Sequence, residues 1–377
     1  MPRSEQDPTL PIVYVVNPAV AMTGALIASC HAARLLRDDA RMVLVLPKET
    51  LVRPEEVTDF WRVEYVSMLG LARHPWSMLR YLPLLLRDAW QLKQRMRRDG
   101  ATRLQLNDFY LMHGSVLRLL GFRGRIVSWV RCNPALLAGA LARPMLRLAH
   151  CSADVLVAVS AYIQSLLPPP LRSVLLYDCY MGQARAPRVW RDMEEKPLVY
   201  VGNYIRGKGQ DVALAAFAIA AVEDAALRLH FYGSDMGLAK NQAYRAELEA
   251  LAMQLHLKDR VRFHDFLPDT YPLLASAYAA LNFSVSESFS MTVLEASGAG
   301  VPVIATSCGG PQEILREGVT GFLIPVGDVA AAAARILRIA RNPVQAEAMG
   351  QAGAAHVQAT FAPPQFRAAL KVILDIP

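Results

Sequence analysis

Two stretches in the second half of the sequence carry residue types that could do chemistry. The first runs from Val201 to Asp211 and reads VGNYIRGKGQD. Gly202, Gly207 and Gly209 allow a tight backbone turn. Arg206 and Lys208 place two cations on that turn. An apolar run of strand length precedes it and a helical stretch follows. Such a turn suits a phosphate, because the free N–H groups and the dipole at a helix start favour anions. The segment is neither Gly-x-Gly-x-x-Gly nor a Walker loop, so a turn with solvated cations is the competing reading.

The second stretch runs from Ser284 to Gly310 and reads SVSESFSMTVLEASGAGVPVIATSCGG. Glu287 falls in a loop after a strand. Ser290 and Thr292 are good helix starters, and Glu295 lies about one turn inside the helix. Free N–H groups at Phe289, Ser290, Met291 and Thr292 could hold a diphosphate. At a rise of about 1.5 Å per residue, Glu295 sits roughly 7–8 Å beyond Ser290. That is the reach from a diphosphate to a ribose, whose two vicinal hydroxyls one carboxylate can accept. In the first half, Asn107, Asp108 and Arg131 stand at predicted strand ends. They are candidates to meet a second substrate, with loop capping as the alternative. His113 falls on a predicted helix and is assigned no catalytic part.

The elements that must position these residues alternate along the chain. Strands are expected at residues 12–17, 42–46, 103–106, 126–130 and 154–159, with a helix at 24–36 and further helical stretches between. Residues 178–196 are polar and charged and interrupt the pattern. It then resumes with strands at 198–201, 227–232, 261–263, 280–283 and 303–305. Helices are expected at 209–222, 241–255, 290–299 and 329–339, and a last short helix at 363–374. Continuous apolar strands separated by helices indicate a parallel sheet covered on both faces. The expected fold is α/β, two doubly wound Rossmann-like domains facing each other across a cleft. The expected boundaries are 1–180, a linker at 181–196, a second domain at 197–362, and a C-terminal helix at 363–377 packing back on the first domain. Ligands of such sheets sit beyond the carboxyl ends of the strands.

Composition is consistent with this. The chain has 377 residues, 53% hydrophobic and 19% charged, enough for two cores and unlike a disordered chain. Its five cysteines, at positions 30, 132, 151, 179 and 308, are scattered and form no Cys-x-x-Cys, which argues against a disulfide framework or structural zinc. The longest uncharged run contains Pro11, Asn17, Pro18 and Gly24 and is not a membrane span. The start, with Arg3, Glu5 and Asp7, does not read as a signal peptide. The net charge is +7. Residues 1–180 hold 22 of the 40 basic and 14 of the 33 acidic residues, so the first half carries the whole excess. The densest part, from Arg73 through Arg98, mixes Trp76, Tyr81 and Trp90 with Arg80, Arg87, Lys93, Arg95, Arg97 and Arg98. A basic, aromatic, amphipathic stretch of this kind suits an anionic bilayer surface; a solvated helix face is the plain alternative. No nucleic-acid motif is present, and no nucleic-acid partner is expected.

The spacing Glu287-x7-Glu295 within ESFSMTVLEA, followed by GVPVIAT and CGGPQEIL, resembles family 4 of the GT-B nucleotide-sugar glycosyltransferases. VGNYIRGKGQD is similar to that family's diphosphate loop, VRFHDFLP to its loop around the nucleobase, and VTGFLIPVGD to its closing strand. The resemblance covers nearly the whole second domain. It implies a retaining, metal-independent hexosyl transfer from a UDP- or GDP-sugar to a glycan or a polyprenyl-diphosphate-linked glycan, as in polysaccharide or lipopolysaccharide assembly. It implies no cofactor, and the absence of an Asp-x-Asp in the sequence agrees with that. The implied catalytic residues are Lys208 on the donor diphosphate, with Arg206 assisting, and Glu287 on the sugar hydroxyls. Donor binding is implied for Gly24, Gly202, Asn203, Phe266, Phe289, Ser290, Met291 and Thr292, with Glu295 on the ribose. The implied location is cytoplasmic, peripheral on the inner face of the membrane. Two positions depart from the family pattern. Asn203 stands where members commonly have Arg, and Arg131 follows the strand at 126–130 where a histidine is frequent. The alternatives are a nucleotide-sugar 2-epimerase of the same fold and a non-catalytic nucleotide-sugar binding protein.

Overall fold

The computed structural model describes residues 7–68, 75–182 and 194–377. Most of the expected linker, and Arg73 and His74 at the head of the basic stretch, lie outside the described residues. The chain divides into two compact units. The first joins Met1–Cys179 to Pro363–Pro377, and the second is Tyr180–Ala362.

The first unit runs β1 (Ile12–Val16), α1 (Gly24–Leu35), β2 (Arg41–Pro47), β3 (Arg62–Val66), α2 (Pro75–Arg98), β4 (Arg103–Leu106), α3 (His113–Leu119), β5 (Arg125–Val130), α4 (Pro134–Ala138), α5 (Ala142–Ser152), β6 (Val155–Ala158), α6 (Ala161–Ser165) and β7 (Val174–Leu175). All strand pairs are parallel, in the order β3-β2-β1-β4-β5-β6-β7. β1 is buried at all five positions because helices cover both faces of the sheet. Side-chain caps set helix starts: Thr23 accepts from the Leu26 amide at 3.3 Å, and Ser160 from the Ile163 amide at 3.0 Å. β3 and β7 have no counterpart among the sequence expectations. β3 carries Arg62 and Glu64 and is only half-buried at the sheet edge, so it offers no continuous apolar run.

The second unit runs β8 (Lys196–Val201), α7 (Gln210–Glu223), β9 (Leu227–Tyr232), α8 (Ala239–Gln254), β10 (Val261–His264), α9 (Tyr271–Ser276), β11 (Ala279–Asn282), α10 (Met291–Gly298), β12 (Val303–Thr306), α11 (Pro311–Ile314), β13 (Gly321–Ile324), α12 (Val329–Arg341) and α13 (Pro343–Thr360). Its sheet is also parallel, in the order β10-β9-β8-β11-β12-β13. One face packs Tyr200, Phe217, Phe231 and Ile336 into a core with α7 and α12. α13 has no sequence counterpart either; it is rich in Ala, Gly and Gln and carries no clear apolar stripe.

The last helix, α14 (Pro363–Leu374), belongs to the first unit and packs on α1 and β5. Arg367 and Lys371 both bond Asp39, at 2.8 and 2.9 Å, and Arg125 donates to the Ile373 carbonyl at 3.1 Å. The fold is thus α/β with two doubly wound parallel sheets. In each, the strand order reverses once, between β1 and β4 and between β8 and β11. Those reversals are where such sheets open a crevice for ligands.

Candidate functional site

The loops that leave β8 and β11 flank the reversal in the second sheet. They carry the two cations of the first stretch and Glu287 of the second. Gly207 and Gly209 turn the first loop with φ of +91° and +80°. A Cβ on Gly209 would stand 2.0 Å from the Phe283 carbonyl oxygen, so only glycine lets the loops approach this closely. The backbones join directly, with the Val285 amide on the Gly207 carbonyl at 2.9 Å. Tyr200, at the buried end of β8, locks the arrangement. Its hydroxyl accepts from the Phe283 amide at 2.7 Å and donates to the Lys208 carbonyl.

On this frame Lys208 and Glu287 meet. Lys208 Nζ lies 2.7 Å from Glu287 Oε1, and Ser284 Oγ donates to the same oxygen at 2.7 Å. The Glu287 side chain is 13% exposed and that of Lys208 34%, so the pair stays within reach of solvent. The Glu287 backbone is pinned from the far side, where the Gly310 amide bonds its carbonyl at 2.8 Å. A Cβ on Gly310 would lie 2.3 Å from the Phe289 backbone. The CGG segment is therefore what allows the Glu287 loop and the loop after β12 to touch.

α10 follows from the same loop. Ser290 stands at its N-cap, yet the Ser290 side chain does not cap. It is held at φ +86°, and its hydroxyl accepts from Asn282 Nδ2 at 3.2 Å, as that of Thr292 does at 3.0 Å. Serine is thus the helix starter by position and not by hydrogen bond. The first bond of the helix closes from the Leu294 amide to the Ser290 carbonyl at 3.1 Å. The amides of Met291, Thr292 and Val293 have no intrahelical acceptor and supply the positive end of the helix dipole. One turn on, Glu295 accepts from Thr270 Oγ1 at 3.0 Å. Burial raises its carboxyl to about 7, against the pull of Thr270 and with a small push from Asp269.

Other expected residues fall elsewhere. The Arg206 side chain points away from the pair, bonds Glu247 of α8 and lies over the Tyr244 ring at 4.9 Å. Asn203 accepts from the Ser234 amide at 3.1 Å and so joins the β8 loop to the β9 loop. Gly202 continues the strand, its amide bonded to the Tyr232 carbonyl at 2.9 Å. Phe289 is buried with its ring against Phe361, centroids 5.5 Å apart. Phe266 is half-buried in the loop after β10. In the first unit, Gly24 is the exposed first residue of α1.

Asn107, Asp108 and Arg131 come together in that unit at the ends of β4 and β5, all buried. Asn107 Oδ1 accepts from Ser29 Oγ and Arg131 Nε, both at 3.0 Å. Arg131 Nη1 donates to both carboxylate oxygens of Asp178 at 2.9 Å, and the guanidinium stacks on Trp129 at 4.1 Å. Asp108 accepts from the Phe109 and Arg131 amides, and burial raises its carboxyl to about 6. His113 opens α3, buried, and burial alone lowers its imidazole to about 4, so it stays neutral. Among the described residues, no group of three His, Cys, Asp or Glu could hold a metal ion.

Sequence reasoning missed Tyr200, Asn282, Ser284 and Thr270. Of these, Asn282 and Ser284 stand just before the ESFSMTVLE segment, and their polar character at a strand end was a usable signal. The pairing of Tyr200 with Phe283, and of Thr270 with Glu295, joins residues 83 and 25 positions apart and left no local mark.

Two parallel doubly wound units of this order are the GT-B architecture. HepE from Anabaena, solved in complex with UDP and glucose, superposes with a TM-score of 0.80 over 96% of this chain and 99% of its own, at 18% identity. Sucrose-phosphate synthase from Thermosynechococcus elongatus gives 0.78 over 96% and 98%, at 21% identity. Residues 185–356, all within the second unit, match the model of the family described as glycosyl transferases group 1. A D-inositol 3-phosphate glycosyltransferase of Streptomyces griseus is 36% identical over 170 residues, which are 42% of this chain and 35% of that protein. The chain spans between 35 and 39% of the length of the first curated relatives it matches.

Proposed function

We propose that the protein is a retaining glycosyltransferase that moves a hexose from a nucleotide diphosphate sugar to a glycan or lipid-linked glycan. The observation that carries this reading is the Lys208–Glu287 pair at the strand-order reversal. In this reading the diphosphate draws Lys208 toward itself, and the ammonium and the α10 amides stabilise the negative charge that grows as the sugar leaves. Glu287, fixed by Ser284, accepts from sugar hydroxyls. Glu295 accepts the ribose hydroxyls, and Phe266 lies by the base. Lys208 and the amides supply the charge, so no divalent metal is needed. UDP is favoured over GDP because HepE holds UDP and UDP-glucose.

The acceptor side belongs to the first unit, where Asn107, Asp108 and Arg131 shape the strand ends more than they touch an acceptor. The basic excess of that unit suits an acceptor carrying diphosphate at the inner, anionic face of a membrane, met through α2, and fits polysaccharide or lipopolysaccharide assembly. Among the described residues no helix is long and apolar enough to cross a membrane.

The test is a thermal-shift titration with UDP, GDP, ADP and their sugars, with and without EDTA. A UDP-sugar at a hundredfold its Kd should stabilise the fold by about 2.7 kcal/mol, unchanged by EDTA. No shift with any nucleotide would overturn the reading.

A further inference from the structure

The first unit presents two outward ridges on one side of its sheet. α3 packs between α2 and α5, while α1 packs with α14, so α2, α3 and α5 form a single layer. α2 satisfies the core with Leu85, Ala89, Leu92 and Met96. A second apolar row, Leu82, Leu86 and Trp90, remains on its outer side, 45 to 56% exposed. At four-residue spacing it forms a ridge about 12 Å long. α5 repeats the pattern. It buries Met145, Leu146 and Ala149 and leaves Leu148, and Leu141 just before it, about half-exposed.

Charge says what such a face fits. Between Asp108 and Asp154 the sequence holds no acidic residue and six arginines. Between Glu64 and Asp99 the single acid is Asp88, which is buried, whereas Arg87, Arg97 and Arg98 are exposed on α2, and Arg143 and Arg147 on α5. Apolar ridges flanked by cations, with the exposed carboxylate that follows α5, Asp154, paired to Arg118 at 2.7 Å, complement a surface that is apolar inside and anionic outside.

We propose that α5, with Leu141, Leu148, Arg143 and Arg147, is a second docking element for an anionic bilayer, acting together with α2. This rests on the membrane part of the reading above and extends it from one helix to a two-ridge footprint. Two anchors hold a peripheral protein where one binds only marginally. They also fix its orientation, which a single helix leaves free to rotate about its axis.

The experiment is co-sedimentation of the full chain with vesicles of phosphatidylglycerol and phosphatidylcholine, against phosphatidylcholine alone. The wild type should partition at least about tenfold better onto the anionic vesicles and lose that preference at high salt. Each cation near such a surface is worth roughly fivefold. Arg143→Glu with Arg147→Glu should therefore reduce binding by about 25-fold or more, and Leu86→Ser with Trp90→Ser should also weaken it. Unchanged melting of both variants, and an unchanged thermal shift with UDP-sugar, would separate docking from folding and donor binding. If the α5 variant binds like wild type while the α2 variant does not, the inference about α5 is wrong and the α2 reading stands. If the wild type ignores anionic vesicles, both fail. Equal competition by single-stranded RNA would assign the face to nucleic acid and overturn the proposal.

Discussion

Both units place a cation–carboxylate pair near the reversal of a doubly wound sheet, but they treat it in opposite ways. In the first, Arg131 and Asp178 have side chains only 4% and 7% exposed, and Arg131 is further held by Asn107 and Trp129. In the second, Lys208 and Glu287 keep 34% and 13% of theirs. Desolvating an ion pair is unfavourable unless its geometry is complete, and once complete it does not exchange partners readily. A half-exposed lysine on a flexible stem does exchange. The same topology thus gives a structural clamp in one unit and an available cation in the other. The buried pair belongs to stability, and the proposed function gives the accessible pair to chemistry.

The sharpest way to break this comparison is to remove one cation from each pair. Arg131→Ala should lower stability by about 3–5 kcal/mol, because it leaves the Asp178 carboxylate buried and unpaired. Urea unfolding measures it; a change below about 1 kcal/mol would mean that the clamp is not structural. Lys208→Ala should leave unfolding within about 1 kcal/mol of wild type and lower turnover by roughly 10²–10³. A loss of turnover under about threefold would remove Lys208 from the mechanism.

Glu295 sharpens the contrast through pH. Its carboxyl sits near 7, above its ordinary value, because burial disfavours the charge. A raised folded-state pKa means that the native protein holds the extra proton. This group's contribution to stability is therefore full below about 4.5 and falls as pH rises toward about 7. Glu295→Gln should remove that slope. If the ionised carboxylate accepts the ribose hydroxyls, the donor Kd should tighten by about tenfold from pH 6 to pH 8, as the competent fraction grows. Isothermal titration at the two pH values checks it, and Glu295→Gln should bind weakly and without that dependence. A wild-type Kd equal at both would remove Glu295 from the ribose.

The smallest effect is expected at Arg206. Its side chain is 66% exposed and paired with Glu247, and exposed pairs contribute little. Arg206→Ala should change turnover by less than about threefold. A loss approaching that of Lys208→Ala would show that Arg206 swings back to the diphosphate when the donor binds.

The candidate residues of the second unit stand out in the sequence because they are local. Glu287 and Glu295 sit eight positions apart on one loop and one helix, and Lys208 lies on an eleven-residue turn with its own glycines. The alternation of apolar strands and helices likewise announced two parallel sheets, since strands buried on both faces must be apolar throughout. β3 escaped because an edge strand keeps its charges, and α13 because an Ala- and Gly-rich helix shows little periodicity.

By itself, then, the sequence determined the α/β class, the order of the elements and the residue types at the second unit's strand ends. Each follows from local periodicity, turn chemistry and spacing. Only the tertiary structure decided which of those residues meet. It set Lys208 against Glu287 across 79 positions, turned Arg206 toward Glu247, and enclosed Arg131 with Asp178. Rotamer, burial and partner depend on what distant segments bring to the same place, and no local pattern records that.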